Sequence, residues 1–354
     1  MKTILPSRIL PAFPRSARNA GDDYGVTDPP DWRTIDWAAH LHRMEIEGTS
    51  VNYVDIGEQE EDRPIVFIHG LSGQWQNWLE NIPRFAKARR IVALDLPGFG
   101  TSEMPEEKLS IELYGNFVAD LCRRLDLAPA VLVGNSMGGF VAAEVTIRAP
   151  ELVERLMLLS SAGVSQMEIA RRPLMTGAKV VGFLATANVP QKRWVARRPV
   201  PRHWVMSLIC RHPSGIKPDA MYEALMKGAN KPGFEPALRA TIEYDFRDRI
   251  PQISCPTLVI WGEKDMIIPV KDADAFVSMI DGARKTVIED TGHVPMFERP
   301  ATFNDLLEEF LHYEVDDGEL EDAPSESNGS QSGEPEEASS ESNGSKARER
   351  DEAV

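Results

Sequence analysis

Short apolar runs alternate with amphipathic stretches along most of this chain. The runs at 41–46 and 51–55 are separated by a turn at Gly48, and they predict a β-hairpin. Later runs are continuously apolar and lie close to Gly or Pro, which is typical of strands buried on both faces. These buried strands are predicted at 65–68, 91–94, 131–133, 155–160, 257–261 and 285–289.

Helical patterns fall between the predicted strands. The clearest runs from Ile111 to Leu125, where apolar residues recur every four positions. Further helices are predicted between residues 68 and 91 and at 140–148, 270–280 and 301–312. Strands that alternate with helices indicate an α/β protein, in which helices cover both faces of a mostly parallel central sheet.

Breaks in this alternation divide the chain. A proline-rich leader covers residues 1–37, and we derive no function for it. The α/β core takes residues 38–161 and 251–313. Residues 162–250 interrupt the core with helical, proline-punctuated sequence and are predicted to form an inserted helical cap. Residues 314–354 form an acidic tail with few large apolar side chains, which we predict to be disordered.

Charge and cysteine content narrow the classes of function that the protein could have. Of the formal net charge of −16, the tail carries −11, because it holds 14 acidic and 3 basic residues. The acidic balance and the lack of a recognisable motif argue against nucleic-acid binding. Three scattered cysteines predict reduced thiols without a disulfide or a zinc site. Prolines and arginines interrupt the N-terminal apolar stretch and no run is long enough to span a membrane, so we expect a cytoplasmic protein.

The strand at 131–133 leads directly into Gly134-Asn135-Ser136-Met137-Gly138-Gly139, and a helix follows. A serine at a sharp strand-to-helix turn has its hydroxyl lifted clear of the sheet, and small residues two positions before and after it allow the turn to close. The alternative, a glycine-rich turn without chemistry, is disfavoured by this context. Ser136 is therefore predicted to be a nucleophile.

A serine nucleophile needs a base, and the base needs an orienting carboxylate. His293 follows the last predicted strand and is predicted to be the general base and acid, whereas His69 is assigned a structural role. Asp265 follows the strand at 257–261 and is the preferred carboxylate. Glu263 is its rival, and Asp290 lies too near His293 in sequence to be preferred.

Attack on a carbonyl also requires donors for the developing oxyanion. The Met137 amide, directly after the nucleophile, is the first predicted donor. The turn after the strand at 65–68 offers the second, which we assign to the Leu71 amide.

Together these motifs resemble the α/β-hydrolase superfamily over roughly residues 40–313. The resemblance is carried by His69-Gly70, Gly134-Asn135-Ser136-Met137-Gly138-Gly139, Asp95-Leu96-Pro97-Gly98-Phe99-Gly100, Gly262-Glu263-Lys264-Asp265 and Gly292-His293. It implies the α/β-hydrolase fold with a lid after the sixth strand. It also implies a cofactor-free serine hydrolase whose triad is Ser136, Asp265 and His293, with no metal. Serine at position 136 argues against the epoxide hydrolases and haloalkane dehalogenases, which use aspartate.

The elbow is similar to that of the meta-cleavage-product C–C hydrolases, but their aromatic residue after the histidine is replaced here by Val294-Pro295. This difference favours an ester or lipid hydrolase of the carboxylesterase or lipase type. C–C bond hydrolysis, perhydrolysis and a noncatalytic ligand-binding role stay open as alternatives.

The cap adds a hypothesis about the substrate. Residues 164–234 hold 12 Lys and Arg against 3 Asp and Glu. Its apolar residues Phe183, Leu184, Trp194, Val195, Trp204, Val205, Met206, Leu208 and Ile209 interleave with Lys192, Arg193, Arg197, Arg198 and Arg202. Such a mixture favours peripheral contact with an anionic membrane surface and hydrolysis of lipid or long-acyl esters. The alternative is that the aromatic residues pack onto the core while the arginines face water.

Overall fold

A computed structural model describes residues 20–58, 63–165, 189–228 and 231–313. Within them, eight strands form one sheet. The strands are β1 Leu41–Ile46, β2 Thr49–Ile56, β3 Ile65–Ile68, β4 Ile91–Leu94, β5 Ala130–Asn135, β6 Val153–Leu159, β7 Thr257–Gly262 and β8 Arg284–Ile288. Each of them overlaps a strand predicted from the apolar runs.

The strand order across the sheet is β1-β2-β4-β3-β5-β6-β7-β8. The hairpin of β1 and β2 is antiparallel, β2 pairs antiparallel with β4, and all other pairs are parallel. Parallel neighbours end at the same edge, so the loops after β3, β5, β6, β7 and β8 gather there. The predicted α/β class with a mostly parallel central sheet is confirmed.

Nine α-helices of four or more residues connect and flank these strands in the described residues. They are α1 Ile82–Phe85, α2 Ile111–Arg124, α3 Met137–Arg148, α4 Val189–Arg197, α5 Pro199–Met206, α6 Phe234–Glu243, α7 Lys271–Met279, α8 Pro295–Glu298 and α9 Pro300–Leu311. A three-residue helical turn, Pro218–Ala220, precedes a π-helix, Met221–Met226. The helix predicted between 68 and 91 is the short α1, preceded by a 3₁₀ turn at Trp75–Trp78.

Alternate residues of the central strands enter two separate apolar layers. Val66 and Ile68 of β3 lie in a cluster with the inner faces of α2, α3 and α7. Ile65 and Phe67 lie in the opposite cluster, with α1, α8 and α9. Because successive strand residues point to opposite faces, apolar residues at every position of β3 allow helices to cover both sides of the sheet.

The second layer also receives residues from the N-terminal segment. Tyr24 and Trp32 are buried there, and the Trp32 indole N–H donates to Glu80 Oε1 at 2.9 Å. Arg84 Nη1 pairs with Asp28 Oδ2 at 2.9 Å. Residues 20–37, for which the sequence indicated no role, therefore pack on the α/β core. Residues 1–19 of the leader and the acidic tail 314–354 lie outside the described residues.

Some of the cap residues that were predicted to form a membrane-binding surface are buried. Val195 and Met206 are buried in the second apolar layer, and Lys192 and Arg202 are also buried. The Arg202 guanidinium donates to the carbonyls of Pro213 and Ser214 at 2.8 and 2.9 Å. The expectation that these four residues interleave on the surface is wrong, because they form the inner side of α4 and α5. Phe183 and Leu184 lie outside the described residues.

No helix among the described residues is long and apolar enough to cross a membrane. Cys122, Cys210 and Cys255 are unpaired thiols, the first two of them buried. In the same parts of the chain, His, Cys, Asp and Glu side chains form no cluster that could hold a metal ion.

The packing of the N-terminal segment makes a stability prediction. Trp32→Ala should lower the free energy of unfolding by about 3 kcal/mol, because a buried indole is lost and Glu80 loses a donor. Urea unfolding of the full chain measures the change. Val26→Ala is the control, since Val26 is 48% exposed, and its effect should stay within about 0.5 kcal/mol. Equal stabilities of the two variants would show that the segment does not contribute to the core.

Candidate active site

Ser136 lies between the end of β5 and the start of α3, with φ 56° and ψ −119°. This conformation is strained for a residue with a side chain and persists only where the surroundings impose it. A Cβ at Gly134 would lie 2.3 Å from the Gly138 carbonyl oxygen, and one at Gly138 would lie 2.2 Å from that of Ile68. Only glycine fits at both positions, so the sequence of this turn permits the close crossing of β3, β5 and α3.

His293 lies in the loop after β8 and contacts the carboxylate predicted for it. Its Nδ1 is 2.7 Å from Asp265 Oδ2, and the Asp265 side chain is completely buried. The second carboxylate oxygen accepts the Ile267 and Ile268 amides at 2.8 and 3.0 Å, which fixes the orientation of the carboxylate. With an N–H at Nδ1 donating to Asp265, His293 Nε2 is left as the proton acceptor that a general base needs.

Backbone contacts also hold His293. Its amide donates to the Ile209 carbonyl of the cap at 2.8 Å, and its own carbonyl accepts Asn135 Nδ2 at 3.2 Å. Asn135 directly precedes Ser136, so the elbow and the histidine loop are hydrogen-bonded to each other. The partly exposed Ser136 hydroxyl makes no hydrogen bond to His293 within the described residues. In ligand-free enzymes this contact is often long and shortens only when substrate binds.

The two rival carboxylates have other partners. Glu263 is exposed, pairs with Lys264 at 2.6 Å and accepts the Asp290 amide at 3.0 Å. Asp290 accepts Arg211 Nε at 2.8 Å and lies 2.6 Å from His212 Nε2. These partners hold the pKa of the Asp290 carboxyl below its usual value, against the effect of burial. The geometry therefore favours Asp265 as the carboxylate for His293.

The turn predicted to supply the second oxyanion donor lies beside Ser136. A Cβ at Gly70 would be 3.0 Å from Ser136 Cβ, so the backbone before Leu71 is next to the serine. The turn is closed by the Gly73 amide, which donates to Gly70 O at 2.9 Å, and this bond does not use the Leu71 amide at its centre. Met137 is the first residue of α3, and a first-turn N–H has no acceptor within its helix.

Two buried side chains hold the backbone around this turn. His69 Nε2 accepts the Leu96 amide at 2.9 Å and Nδ1 lies 2.7 Å from Gly70 O; burial lowers the pKa of His69 to about 4. A neutral His69 with both nitrogens bonded is structural, as the sequence suggested. Asp95 accepts the amides of Trp75 and Thr101, both at 2.8 Å. Burial raises the pKa of this carboxyl.

Sequence reasoning missed Glu298, the last residue of α8. Its side chain is fully buried behind the histidine loop, and burial raises its pKa to about 7. The only sequence signal was a Glu five positions after His293, which by itself does not distinguish a buried acceptor from a surface residue.

The chain matches the alpha/beta hydrolase family over residues 65–306, and it belongs to this family. Membership supports an enzyme of the α/β-hydrolase type.

Individual relatives differ in activity. The chain is 30% identical over 264 residues to a 2-hydroxymuconate semialdehyde hydrolase of Pseudomonas sp. strain CF600, covering 70% of this chain and 86% of the relative. It is 31% identical over 282 residues to a dihydrolipoyllysine-residue acetyltransferase component of an acetoin cleaving system from Pseudomonas putida, covering 76% and 68%. A bacterial membrane phospholipase A is 27% identical with a TM-score of 0.62, covering 79% of this chain and 88% of that protein. These likenesses support the family without selecting a substrate.

The contact between Asp265 and His293 predicts which of the two nearby carboxylates, Asp265 or Glu263, is needed for activity. Asp265→Asn should lower the turnover of an activated ester by about 10³- to 10⁴-fold, because an amide cannot both orient the imidazole and stabilise its charged form. Glu263→Gln, the same chemical change two residues away, should stay within about twofold of wild type. Steady-state kinetics with p-nitrophenyl acetate measures both, and Ser136→Ala supplies the background. An active Asp265→Asn alongside an inactive Glu263→Gln would transfer the role to Glu263.

Proposed function

We propose that this protein is a serine hydrolase that cleaves carboxylic esters through Ser136, His293 and Asp265. The observation that carries the proposal is the 2.7 Å contact between His293 Nδ1 and the buried carboxylate of Asp265, in a loop that is hydrogen-bonded through Asn135 to the strained elbow of Ser136. Family membership supports the same class of chemistry.

The reaction follows from these positions. Ser136 Oγ attacks the ester carbonyl while His293 Nε2 takes its proton, and the Leu71 and Met137 amides stabilise the oxyanion. His293 then gives the proton to the leaving alcohol, which leaves an acyl group on Ser136. Water, activated by the same imidazole, attacks the acyl-enzyme, and the acid is released with Ser136 restored. No cofactor takes part in this scheme.

For the substrate we propose lipid or long-acyl esters, taken from an anionic membrane surface. The outer side of α4 and α5 supports this choice. Val189, Trp194, Val200 and Trp204 are exposed to 55%, 52%, 52% and 45%, and they are four of the nine exposed large apolar side chains in the described residues. Exposed tryptophans are typical of surfaces that enter the headgroup region of a bilayer.

Charge on the same two helices favours an anionic partner. Residues 189–206, which span both helices, contain five Lys and Arg and no Asp or Glu. Arg193, Arg197 and Arg198 are exposed, and the Arg198 guanidinium lies 4.9 Å from the centre of the Trp194 ring. Each basic side chain near an anionic bilayer contributes about 1 kcal/mol of attraction. The similarity to a membrane phospholipase A agrees with this proposal.

A second candidate is hydrolysis of a C–C bond in a meta-cleavage product. The 30% identity to a 2-hydroxymuconate semialdehyde hydrolase favours it, while Val294-Pro295 after the histidine weighs against it. A noncatalytic ligand-binding role is the third candidate. A fluorophosphonate probe tests that role, since an enzyme of the proposed type is labelled in the wild type and not in Ser136→Ala.

The lipid proposal predicts how activity depends on chain length and on surfaces. Hydrolysis of p-nitrophenyl esters of two to sixteen carbons should rise with chain length. Long-chain rates should also increase with vesicles of phosphatidylcholine and phosphatidylglycerol, and less with phosphatidylcholine alone. The Trp194→Ala/Trp204→Ala variant should lose the vesicle effect and keep its rate on the acetate ester.

Met104→Ala is the matched control, because Met104 is an exposed apolar residue outside the cap. It should respond to vesicles like the wild type. Equal turnover of short and long esters without a vesicle response would contradict the lipid proposal. Turnover of a 2-hydroxymuconate semialdehyde with no ester hydrolysis would favour the C–C candidate.

A further inference from the structure

The Glu298 carboxylate accepts backbone donors from both sides of His293. Its Oε1 accepts the Gly292 amide at 2.9 Å and the Val294 amide at 3.3 Å. The space is closely fitted, because a Cβ at Gly292 would lie 2.8 Å from this oxygen and 2.7 Å from the Ile209 carbonyl oxygen. Movement of Glu298 would therefore move the backbone that carries the imidazole.

The other oxygen binds two distant parts of the chain. Glu298 Oε2 accepts the Tyr24 hydroxyl at 2.5 Å and the Arg211 amide at 2.6 Å. Tyr24 belongs to the N-terminal segment that packs on the core, and Arg211 belongs to the cap. One buried carboxylate thus joins the histidine loop, the cap and the N-terminal segment.

The arginines near the Glu298 carboxylate form ion pairs with other carboxylates. Arg211 Nε pairs with Asp290 at 2.8 Å, and Arg299 pairs with Asp23. The charge of Glu298 is met instead by three amides and a phenol. The three backbone N–H groups can only donate, and the Tyr24 hydroxyl donates as well, so the ionised carboxylate accepts from all four partners. A protonated carboxyl has one oxygen that is less able to accept.

We propose that Glu298 is a positioning residue for His293, and that its bonds to Tyr24 and Arg211 make the alignment of the imidazole depend on the docked N-terminal segment and cap. The inference rests on the proposed function, in which His293 is the general base. Glu298 touches neither Asp265 nor the imidazole through a hydrogen bond, so it acts through the backbone of the loop.

The ionised form of Glu298 is the one that fits its partners, and this gives the proposal a pH dependence. Burial raises its pKa from the ordinary 4.5 to about 7, and the bonds from Tyr24 and the amides of Arg211, Gly292 and Val294 oppose that rise. The titratable and charged groups that surround it are Tyr24, Cys210, Arg211, Asp290, His212, Arg299 and His293. Loss of positioning is therefore expected as pH falls through about 7.

Glu298→Gln tests this directly. Its amide oxygen can still accept Gly292 and Val294, but its NH₂ group would face the Arg211 amide, so the variant imitates the protonated carboxyl at every pH. At pH 8 we expect kcat to fall about tenfold, with KM nearly unchanged, because a slightly displaced base slows the chemical step. The ratio of wild-type to variant kcat should shrink toward pH 5.5, where the wild type is protonated as well.

Tyr24→Phe is the milder variant and keeps the proposal testable if Glu298→Gln does not fold. It removes the hydroxyl that donates to Glu298 and accepts the His212 amide at 2.8 Å, and it retains the carboxylate. Because the lost bond favours the ionised form, the pKa of Glu298 should rise further, and the acidic limb of the kcat profile should move to higher pH.

Glu80→Gln is the matched control, since Glu80 is also a buried carboxylate with a raised pKa, but it accepts Trp32 and Thr27. It should leave the shape of the kcat profile unchanged. If Glu298→Gln and Tyr24→Phe gave wild-type pH profiles, or if Glu80→Gln moved the limb equally, the positioning role would be refuted.

A readout independent of turnover separates this inference from the proposed function. The Nδ1 proton of His293, bonded to Asp265, should give a downfield NMR signal that disappears in Asp265→Asn. We expect this signal to shift or broaden in Glu298→Gln and to stay unchanged in Glu80→Gln. A wild type that hydrolyses no ester while showing these NMR changes would refute the proposed function and support the positioning role. An unchanged signal in Glu298→Gln would refute the positioning role even in an active enzyme.

Discussion

The arrangement of the site depends on the close crossing of β3, β5 and α3 at Ser136. Gly134 and Gly138 let backbone approach backbone at distances that no side chain allows, and the serine between them is held at φ 56°. Such a conformation costs of order 1–3 kcal/mol and needs support from well-packed neighbours. That support comes from the two apolar layers, in which helices pack on both faces of the central strands. The rigidity of the core is thus what holds the serine in its strained conformation at this turn.

Three carboxylates surround the histidine loop, and their environments give them different roles. Asp265 accepts hydrogen bonds from two backbone amides and from the imidazole, so it fixes the orientation of the His293 ring. Asp290 pairs with the side chains of Arg211 and His212, so it connects the start of the histidine loop to the cap. Glu298 is buried, and its carboxylate accepts hydrogen bonds from backbone amides instead of pairing with a cation. The three carboxylates around the histidine loop therefore differ in function because their hydrogen-bond donors differ.

Much of the fold could be predicted because local signals agree with the final packing. Continuous apolar runs such as Ile65–Ile68 mark strands buried on both faces, and the glycines around Ser136 mark the turn. Asp265 and His293 could be proposed because residues at the carboxyl ends of parallel strands meet at one edge of the sheet. The contacts of Ile209, Arg211 and Tyr24 with the histidine loop could not, since nothing in their local sequence encodes partners about 80 to 270 residues away. For the same reason Arg202, a cation in a basic stretch, was expected on the surface, yet three cap carbonyls bind it in the interior.

The cap is bonded to both halves of the candidate active site. On the histidine side, Ile209 and Arg211 join the loop that carries His293. On the side of the turn after β3, Gln74 Nε2 donates to Glu223 O at 3.0 Å and Asn77 Nδ2 donates to Ala224 O at 2.6 Å.

Both of these acceptors lie in the π-helix Met221–Met226, where the wider turn alters the regular backbone pairing and makes carbonyls available to side chains. Each bond contributes about 1 kcal/mol net, and lifting the cap as one body would break all of them together with the apolar contacts beneath. The described part of the cap is therefore better understood as a wall of the site than as an independently moving lid. Its bonded inner side is distinct from the outer side of α4 and α5, so a partner that binds Trp194 and Trp204 would leave the contacts of the site in place.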